Sequence, residues 1–135
     1  MIDQDRFVHL MFQIDTNRIN ARNTLSSMNQ LQAWHDAGVI LIHMSQVAHD
    51  EAKAGGNPQR SRKATSYIFS MTYGDTPDEQ ADMQAIERVL FSNGAGSQNE
   101  RNDVEVVFNA KKYGATLVTA DGGSRRQPGG IAHAR

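Results

Sequence analysis

The fold is decided near the amino terminus by the stretch Phe7-Val8-His9-Leu10-Met11-Phe12-Gln13-Ile14-Asp15, an apolar run that ends at a carboxylate. Three further acids hold similar places: Glu51 after Val39-Ile40-Leu41-Ile42, Asp103 at the start of the helical stretch 104–113, and Asp121 at the end of Thr116-Leu117-Val118-Thr119-Ala120. If the apolar runs are neighbouring parallel strands, their carboxyl ends share the sheet edge where open α/β folds bind ligands. Because gathered carboxylates repel one another, this pattern predicts a site for Mg²⁺ or Mn²⁺.

The segments between the apolar runs have helical signals, and the alternation favours an α/β fold. A helix with a buried stripe is predicted by apolar residues at three-residue steps, namely Leu25, Met28, Leu31 and Trp34. Gly38 ends this helix and the strand 39–42 follows at once, which makes a βαβ unit. A short helix is expected over 47–53. The segment 59–75 stays open, because its stretch 66–73 fits a strand, a hairpin arm or part of a helix.

The second half of the chain carries clear helix boundaries. Thr76 is followed by Pro77 and, three residues on, by Glu79, which together predict an N-cap, a first helical turn and a capping box. A last helix is expected from about Asp103 to Tyr113, where Gly114 ends it before a strand over 115–120. We therefore expect a single domain over residues 1–135 with a mainly parallel sheet.

Composition narrows the function classes without selecting one. The 135 residues include 14 Lys and Arg against 15 Asp and Glu, so nucleic-acid binding would need a local basic patch. Cysteine is absent, which excludes disulfides and thiolate metal sites and fits a reducing compartment. No apolar run approaches the ~18 residues of a membrane span. The expectation is a soluble, cytoplasmic protein with no membrane partner.

Several of these segments together resemble the PIN domain family. The resemblance is carried by Ile14-Asp15-Thr16-Asn17, by the segment 45–51, by Asn102-Asp103, and by the block from Asn109-Ala110-Lys111-Lys112-Tyr113-Gly114-Ala115 to Leu117-Val118-Thr119-Ala120-Asp121. Members of this family are metal-dependent nucleases, and many are the ribonuclease toxins of toxin–antitoxin pairs. The resemblance implies a three-layer α/β/α sandwich and an RNA substrate. An antitoxin or other protein partner and a homodimer are compatible with it, and the sequence selects neither.

The same resemblance implies roles for individual residues. It assigns the catalytic, metal-binding carboxylates to Asp15, Glu51, Asp103 and Asp121. Asn17 and Thr119 would be the polar neighbours that orient these acids through hydrogen bonds. Asp50 is adjacent to Glu51 and is an alternative for the central acid. The family fold also implies a further helix and strand after Asp121, so the chain is expected either to be a trimmed form or to lack that edge strand.

Other interpretations of these residues stay open. An Asp at a strand end or helix start also serves as an ordinary cap or turn residue. Arg60, Arg62 and Lys63, with Tyr67 and Tyr73, are either a surface that binds RNA or a solvated loop beside core aromatics.

Three functional alternatives accompany the ribonuclease prediction. One is a PIN-like domain without catalysis that acts as an RNA-binding or assembly module. A haloacid-dehalogenase-like phosphatase would need a second Asp two residues after Asp15, where Asn17 stands. A response-regulator receiver would need paired acids before the first helix and a Lys at the last strand end, and neither is present.

Overall fold

The computed structural model describes residues 10–19, 24–70 and 74–120, which form strands and helices in alternation. The strands are β1 (Leu10–Ile14), β2 (Ile40–Ser45), β3 (Ile68–Ser70) and β4 (Thr116–Val118). The helices are α1 (Ser26–Asp36), α2 (Gln46–Ala54), α3 (Pro58–Thr65), α4 (Pro77–Leu90) and α5 (Gln98–Tyr113), and a 3₁₀ turn spans Thr16–Arg18. Within the described ranges, no helix has both the length and the apolar character needed to cross a membrane.

The strands form one sheet in the order β3-β2-β1-β4, and every neighbouring pair is parallel. Phe12 lies opposite Ile42 of β2 on one side and Thr116 of β4 on the other. The prediction of an α/β fold with neighbouring parallel strands is therefore confirmed. Since all the strands run the same way, the carboxyl ends of β1, β2 and β4 meet at one edge of the sheet.

The core lies where the central strands are covered by helices. Ile14, Ile42 and Met44 are fully buried, and α1, α2 and α5 each pack against β2. This burial explains the nearly continuous apolar sequence of β2, because a parallel strand with covered faces exposes no polar side. β2 also extends three residues beyond the predicted 39–42 run, through His43, Met44 and Ser45.

A cluster of neutral polar side chains is buried against α5, and we call Gln13, His43 and Asn109 the interior cluster. The Gln13 amide donates to the carbonyl of Val106 at 2.8 Å, and its oxygen accepts from the amide of Asn109. His43 lies opposite Gln13 in register, and its ring meets the ring of Tyr113 edge-to-face at 6.3 Å. Among the described residues, neither ring nitrogen of His43 has a hydrogen-bond partner. Burial lowers the pKa of His43.

The helix boundaries follow their caps, with one correction. The Thr76 capping box is present, with the side chain of each of Thr76 and Glu79 accepting from the other's backbone N–H. α5 begins at Gln98, after the N-cap Ser97, so the prediction that Asp103 opens this helix is wrong. Residues 98–102 are all polar, so they gave no apolar periodicity to mark the first turn. Asp103 consequently lies in the second turn.

The structure also changes two other predictions, on the buried face of α1 and on the segment 59–75. In α1, Met28 is buried and Leu25 and Leu31 pack against the core, but Trp34 is 44% exposed and is not part of the buried stripe. In the open segment 59–75, α3 ends at Thr65 and β3 spans Ile68–Ser70, so the described part of the stretch 66–73 contains a strand. Asn57 caps α3 by accepting from the backbone of Gln59 and Arg60, ahead of Pro58 at the first helical position.

Candidate active site at the carboxyl edge of the sheet

Asp15 occupies the carboxyl end of β1, where neighbouring groups converge on its carboxylate. The residue is 7% exposed, and its backbone N–H donates to the carbonyl of Val118 at 3.0 Å. Its Oδ1 accepts from the backbone N–H of Thr16 at 2.8 Å. Its Oδ2 accepts from Thr119 Oγ1 at 2.9 Å and from Asn17 Nδ2 at 3.3 Å. The two polar neighbours predicted to orient the site acids therefore both contact Asp15.

Asn17 also fixes the end of β4 beside β1. Its Oδ1 accepts from the backbone N–H of Ala120 at 2.9 Å, and its Nδ2 approaches Thr119 Oγ1 at 3.3 Å. Ala120 is the last described residue of this part of the chain, and the predicted site residue Asp121 lies outside the described residues. The chain thus leaves β4 directly beside Asp15.

Glu51 reaches the same edge from α2. The helix begins directly after β2, where Ser45 caps it by accepting from the backbone N–H of Ala48. Glu51 Oε2 accepts from Thr16 Oγ1 at 3.1 Å, and Oε1 accepts from Asn102 Nδ2 at 2.8 Å. Asp50, the alternative acid, has a side chain that is 65% exposed and lies 3.8 Å from His49. Of these two adjacent acids, Glu51 is the one that hydrogen bonds through Thr16 connect to Asp15.

Thr16 links the two carboxylates. Its backbone N–H binds Asp15, while its hydroxyl lies within hydrogen-bonding distance of both Glu51 and the carbonyl of Ala48, the latter at 3.0 Å. Its carbonyl accepts from Arg60 Nη2 at 2.6 Å. Each polar group of Thr16 is therefore used, and Asp15 and Glu51 are held on either side of one residue. We call these hydrogen-bonded residues the edge network: Asp15, Thr16, Asn17, Glu51, Asn102 and Thr119.

Asp103, the third predicted acid, is adjacent in sequence to a member of the edge network. Asp103 is half-buried and follows Asn102, whose amide is the α5 group that contacts Glu51. Within the described residues, no three His, Asp or Glu side chains are gathered closely enough to form a metal-binding group. The structure thus brings Asp15 and Glu51 together through Thr16 and places Asp103 one residue from the network.

The predicted basic surface lies on α3 and not in a loop. Arg60 extends to the edge network, Arg62 is exposed, and Lys63 is half-buried. Tyr67 is a core residue, only 5% exposed, so it provides no open face for stacking on a base. Its hydroxyl donates to Gln32, and burial together with the Asp36 charge raises its pKa to about 12. Tyr73, the other aromatic considered, lies outside the described residues.

The carboxylate oxygens at this edge are the kind of ligand that a hard cation prefers. Mg²⁺ prefers oxygen ligands, keeps several waters and is commonly held by one or two carboxylates, a requirement that Asp15 and Glu51 meet. Among the described contacts, each Glu51 oxygen accepts one hydrogen bond, which leaves capacity on both oxygens for a further partner. The donors that surround the acids also match the outer contacts that orient metal-binding carboxylates.

Two members of the edge network had no role assigned from sequence. Thr16 was only the middle residue of Asp15-Thr16-Asn17, and Asn102 was only the neighbour of Asp103. The four-residue spacing of Gln98 and Asn102 was an available signal, because side chains so spaced meet on one helix face. That signal required a helix start at residue 98, which the apolar pattern did not show.

Comparison with known proteins does not assign this chain to a family. No protein-family model matches the sequence, and no curated protein matches it. Function is therefore inferred from the residues of the site.

Proposed function

We propose that this protein is a Mg²⁺- or Mn²⁺-dependent endoribonuclease with a PIN-like, three-layer α/β/α architecture. The observation that carries the proposal is the pairing of Asp15 and Glu51 around Thr16 at the carboxyl edge of a parallel sheet. Mg²⁺ and Mn²⁺ bind carboxylate oxygens, and Asp15 and Glu51 supply them from two separate elements. A cation at these acids would use carboxylates that the surrounding donors already orient.

In this proposal Asp15 and Glu51 are the principal metal-binding groups, and Asp103 and Asp121 contribute directly or through water. Asp121 comes one residue after Ala120, whose backbone is held by Asn17 beside Asp15. When bound, the metal would activate a water molecule and neutralise charge on the phosphodiester. Asn17, Thr119 and Thr16 act by orienting the carboxylates. No hydroxyl nucleophile paired with a histidine is needed for this chemistry.

The basic residues of α3 supply the substrate contact in this proposal. The guanidinium of Arg60 uses one donor on the Thr16 carbonyl and has others for a phosphate oxygen. Within the described part of the chain, Arg60 forms no ion pair with a carboxylate. Arg62 and Lys63 lie on the same helix and extend the positive charge away from the edge network. RNA phosphates would thus approach the acids from α3.

The test compares acid variants in an RNA cleavage assay with Mg²⁺ or Mn²⁺. We expect Asp15→Asn and Glu51→Gln each to reduce cleavage by at least about 100-fold, because each removes a charge that binds the metal. Asp50→Asn is the matched control, since it removes a neighbouring charge that does not contact Thr16, and it should retain activity. Cleavage that persists in EDTA would contradict the metal mechanism. RNA binding by the wild type without any cleavage would instead favour the non-catalytic binding module.

A further inference from the structure

We infer that Asn102 is a positioning residue that holds the Glu51 carboxylate ready for the metal ion. The inference deepens the proposed function and rests on it. It concerns an amide for which the sequence pattern gave no role, beside the acid Asp103 that the pattern did select. The contact is 2.8 Å long and joins residues 51 positions apart, on α5 and α2.

The orientation of the Asn102 amide is fixed by its other hydrogen bond. Its Oδ1 accepts from Gln98 Nε2 at 2.8 Å, one helical turn earlier, and Gln98 in turn accepts from Arg101 at 3.3 Å. Since the oxygen of Asn102 is occupied by a donor, its nitrogen is the atom that faces Glu51. A chain of polar groups on the first turns of α5 therefore ends in a donor directed at the carboxylate.

Glu51 is held from both sides by donors on different elements. Asn102 of α5 donates to Oε1, and the hydroxyl of Thr16, in the 3₁₀ turn after β1, shares its one hydrogen between Oε2 and the Ala48 carbonyl. Hydrogen bonds to an ionised acceptor are stronger than those between neutral groups, so this pair restrains a long and otherwise mobile side chain. Ordering Glu51 before the ion arrives lowers the entropy lost on binding. Loss of the Asn102 contact should therefore weaken metal binding without removing a ligand.

A neutral amide suits this position better than a carboxylate. Asn102 donates to Glu51 and adds no negative charge, whereas an Asp at this place would oppose Glu51 with a second carboxylate. The site acids already include Asp15 on the other side of Thr16. Asn102 thus donates a hydrogen bond to Glu51 while leaving the total charge of the site unchanged.

The experiment is a calorimetric titration of the whole 135-residue chain with Mn²⁺, which needs no RNA and no catalysis. We expect Asn102→Ala to raise the Mn²⁺ dissociation constant by about 10-fold, the lower end of the effect of losing an outer contact to a metal ligand. Gln98→Ala removes only the group that orients Asn102 and should raise the constant by a smaller factor. Asn99→Ala is the matched control, an exposed asparagine on the same helix, and should leave the constant unchanged.

The outcomes separate this inference from the proposed function. If the wild type binds Mn²⁺ and Asp15→Asn does not, but Asn102→Ala binds as tightly as the wild type, the role of Asn102 is overturned and the metal site stands. If the wild type does not bind Mn²⁺, the proposed function fails and the inference fails with it. Circular dichroism checks that Asn102→Ala is folded. If it is not, Gln98→Ala decides, and an unchanged dissociation constant in that variant overturns the inference.

Discussion

Gln13 lies in β1 and Asp15 directly follows that strand, two residues later, yet the two side chains have different surroundings. Gln13 belongs to the interior cluster, where a neutral amide is enclosed by the Val106 carbonyl and the amide of Asn109. Asp15 belongs to the edge network, where a carboxylate is surrounded by donors from the 3₁₀ turn and the end of β4. Buried charge is far costlier than a satisfied neutral amide. The buried carboxylate of Asp15 is accordingly surrounded by hydrogen-bond donors, whereas the interior cluster consists of neutral groups.

The two regions should consequently respond to mutation in different ways. In the interior cluster Gln13 accepts from Asn109, so the loss of Asn109 leaves a buried oxygen of Gln13 unpaired. In the edge network Asn17 is exposed and Glu51 is half-buried, so water can replace a donor that is lost there, and the buried Asp15 accepts from several donors at once. We expect changes in the interior cluster to affect stability, and changes in the edge network to affect metal binding and activity.

The largest expected effect is on stability and comes from Asn109→Ala. Asn109 is fully buried, and its loss leaves the Gln13 oxygen unpaired next to a small cavity. We expect a loss of about 3 kcal/mol in the free energy of unfolding, from the unpaired group and the cavity together. Asn17→Ala is the matched change in the edge network and should cost under about 1 kcal/mol, because Asn17 is exposed. Urea unfolding of both variants measures the difference, and equal losses would contradict the distinction between the regions.

The second prediction concerns metal-linked stability, which should belong to the edge network alone. Mn²⁺ at ~100 times its dissociation constant should stabilise the wild type by ~2.7 kcal/mol. Asp15→Asn should lose most of this gain, whereas a folded Asn109→Ala protein should keep it, because Asn109 contacts neither acid in the described hydrogen bonds. Thermal melts with Mn²⁺ and with EDTA provide the measurement. If saturating Mn²⁺ leaves the wild-type melting temperature unchanged, Asp15 and Glu51 act as ordinary cap and turn residues and not as metal ligands.

The sequence predicted the elements whose signals are local. The apolar run ending at Ile14 and the capping box at Thr76 depend on neighbouring residues, and both are present as expected. Asn17 and Thr119, which the resemblance grouped with Asp15, both lie within hydrogen-bonding distance of its carboxylate. Parallel pairing then followed from the alternation of strands and helices.

What the sequence left open depends on tertiary contacts. Asp50 and Glu51 are chemically alike and adjacent, and only the approach of Thr16 and Asn102 distinguishes them. The start of α5 was misplaced because its first turn is wholly polar and is fixed by the Ser97 cap. Trp34 continued the apolar step of α1 but lies beyond the reach of the core. The interior cluster gave no signal, since Gln13 and His43 interrupt apolar strands as isolated polar residues.

The third prediction concerns pH and tests the interior cluster through His43. Burial lowers the pKa of His43 below its usual 6.5, so the unfolded chain binds a proton more readily than the folded protein. The contribution of His43 to stability is therefore complete above pH 6.5 and is lost as the pH falls from there toward the folded pKa. The free energy of unfolding is measured in urea at about pH 7.5 and about pH 5, on either side of the usual His pKa. The wild type should lose more stability between these pH values than His43→Leu. The other histidines are common to both proteins, so parallel pH profiles would exclude this role for His43.

The smallest expected effect is on RNA binding and comes from Arg60, whose guanidinium donates to Thr16 of the edge network. Arg60 contacts Thr16 between the two acids, whereas the described contacts of the interior cluster include no cation. In an Asp15→Asn background, which allows binding without cleavage, Arg60→Ala should reduce the slope of log affinity against log salt by ~0.7, the value for one phosphate contact on a single strand. Arg60→Lys keeps the charge and should keep the slope. Lys53→Ala, an exposed cation on α2, should also leave it unchanged. If Arg60→Ala instead lowers stability and leaves the salt slope intact, Arg60 serves only to hold the turn that carries Thr16, and phosphate contacts come from elsewhere.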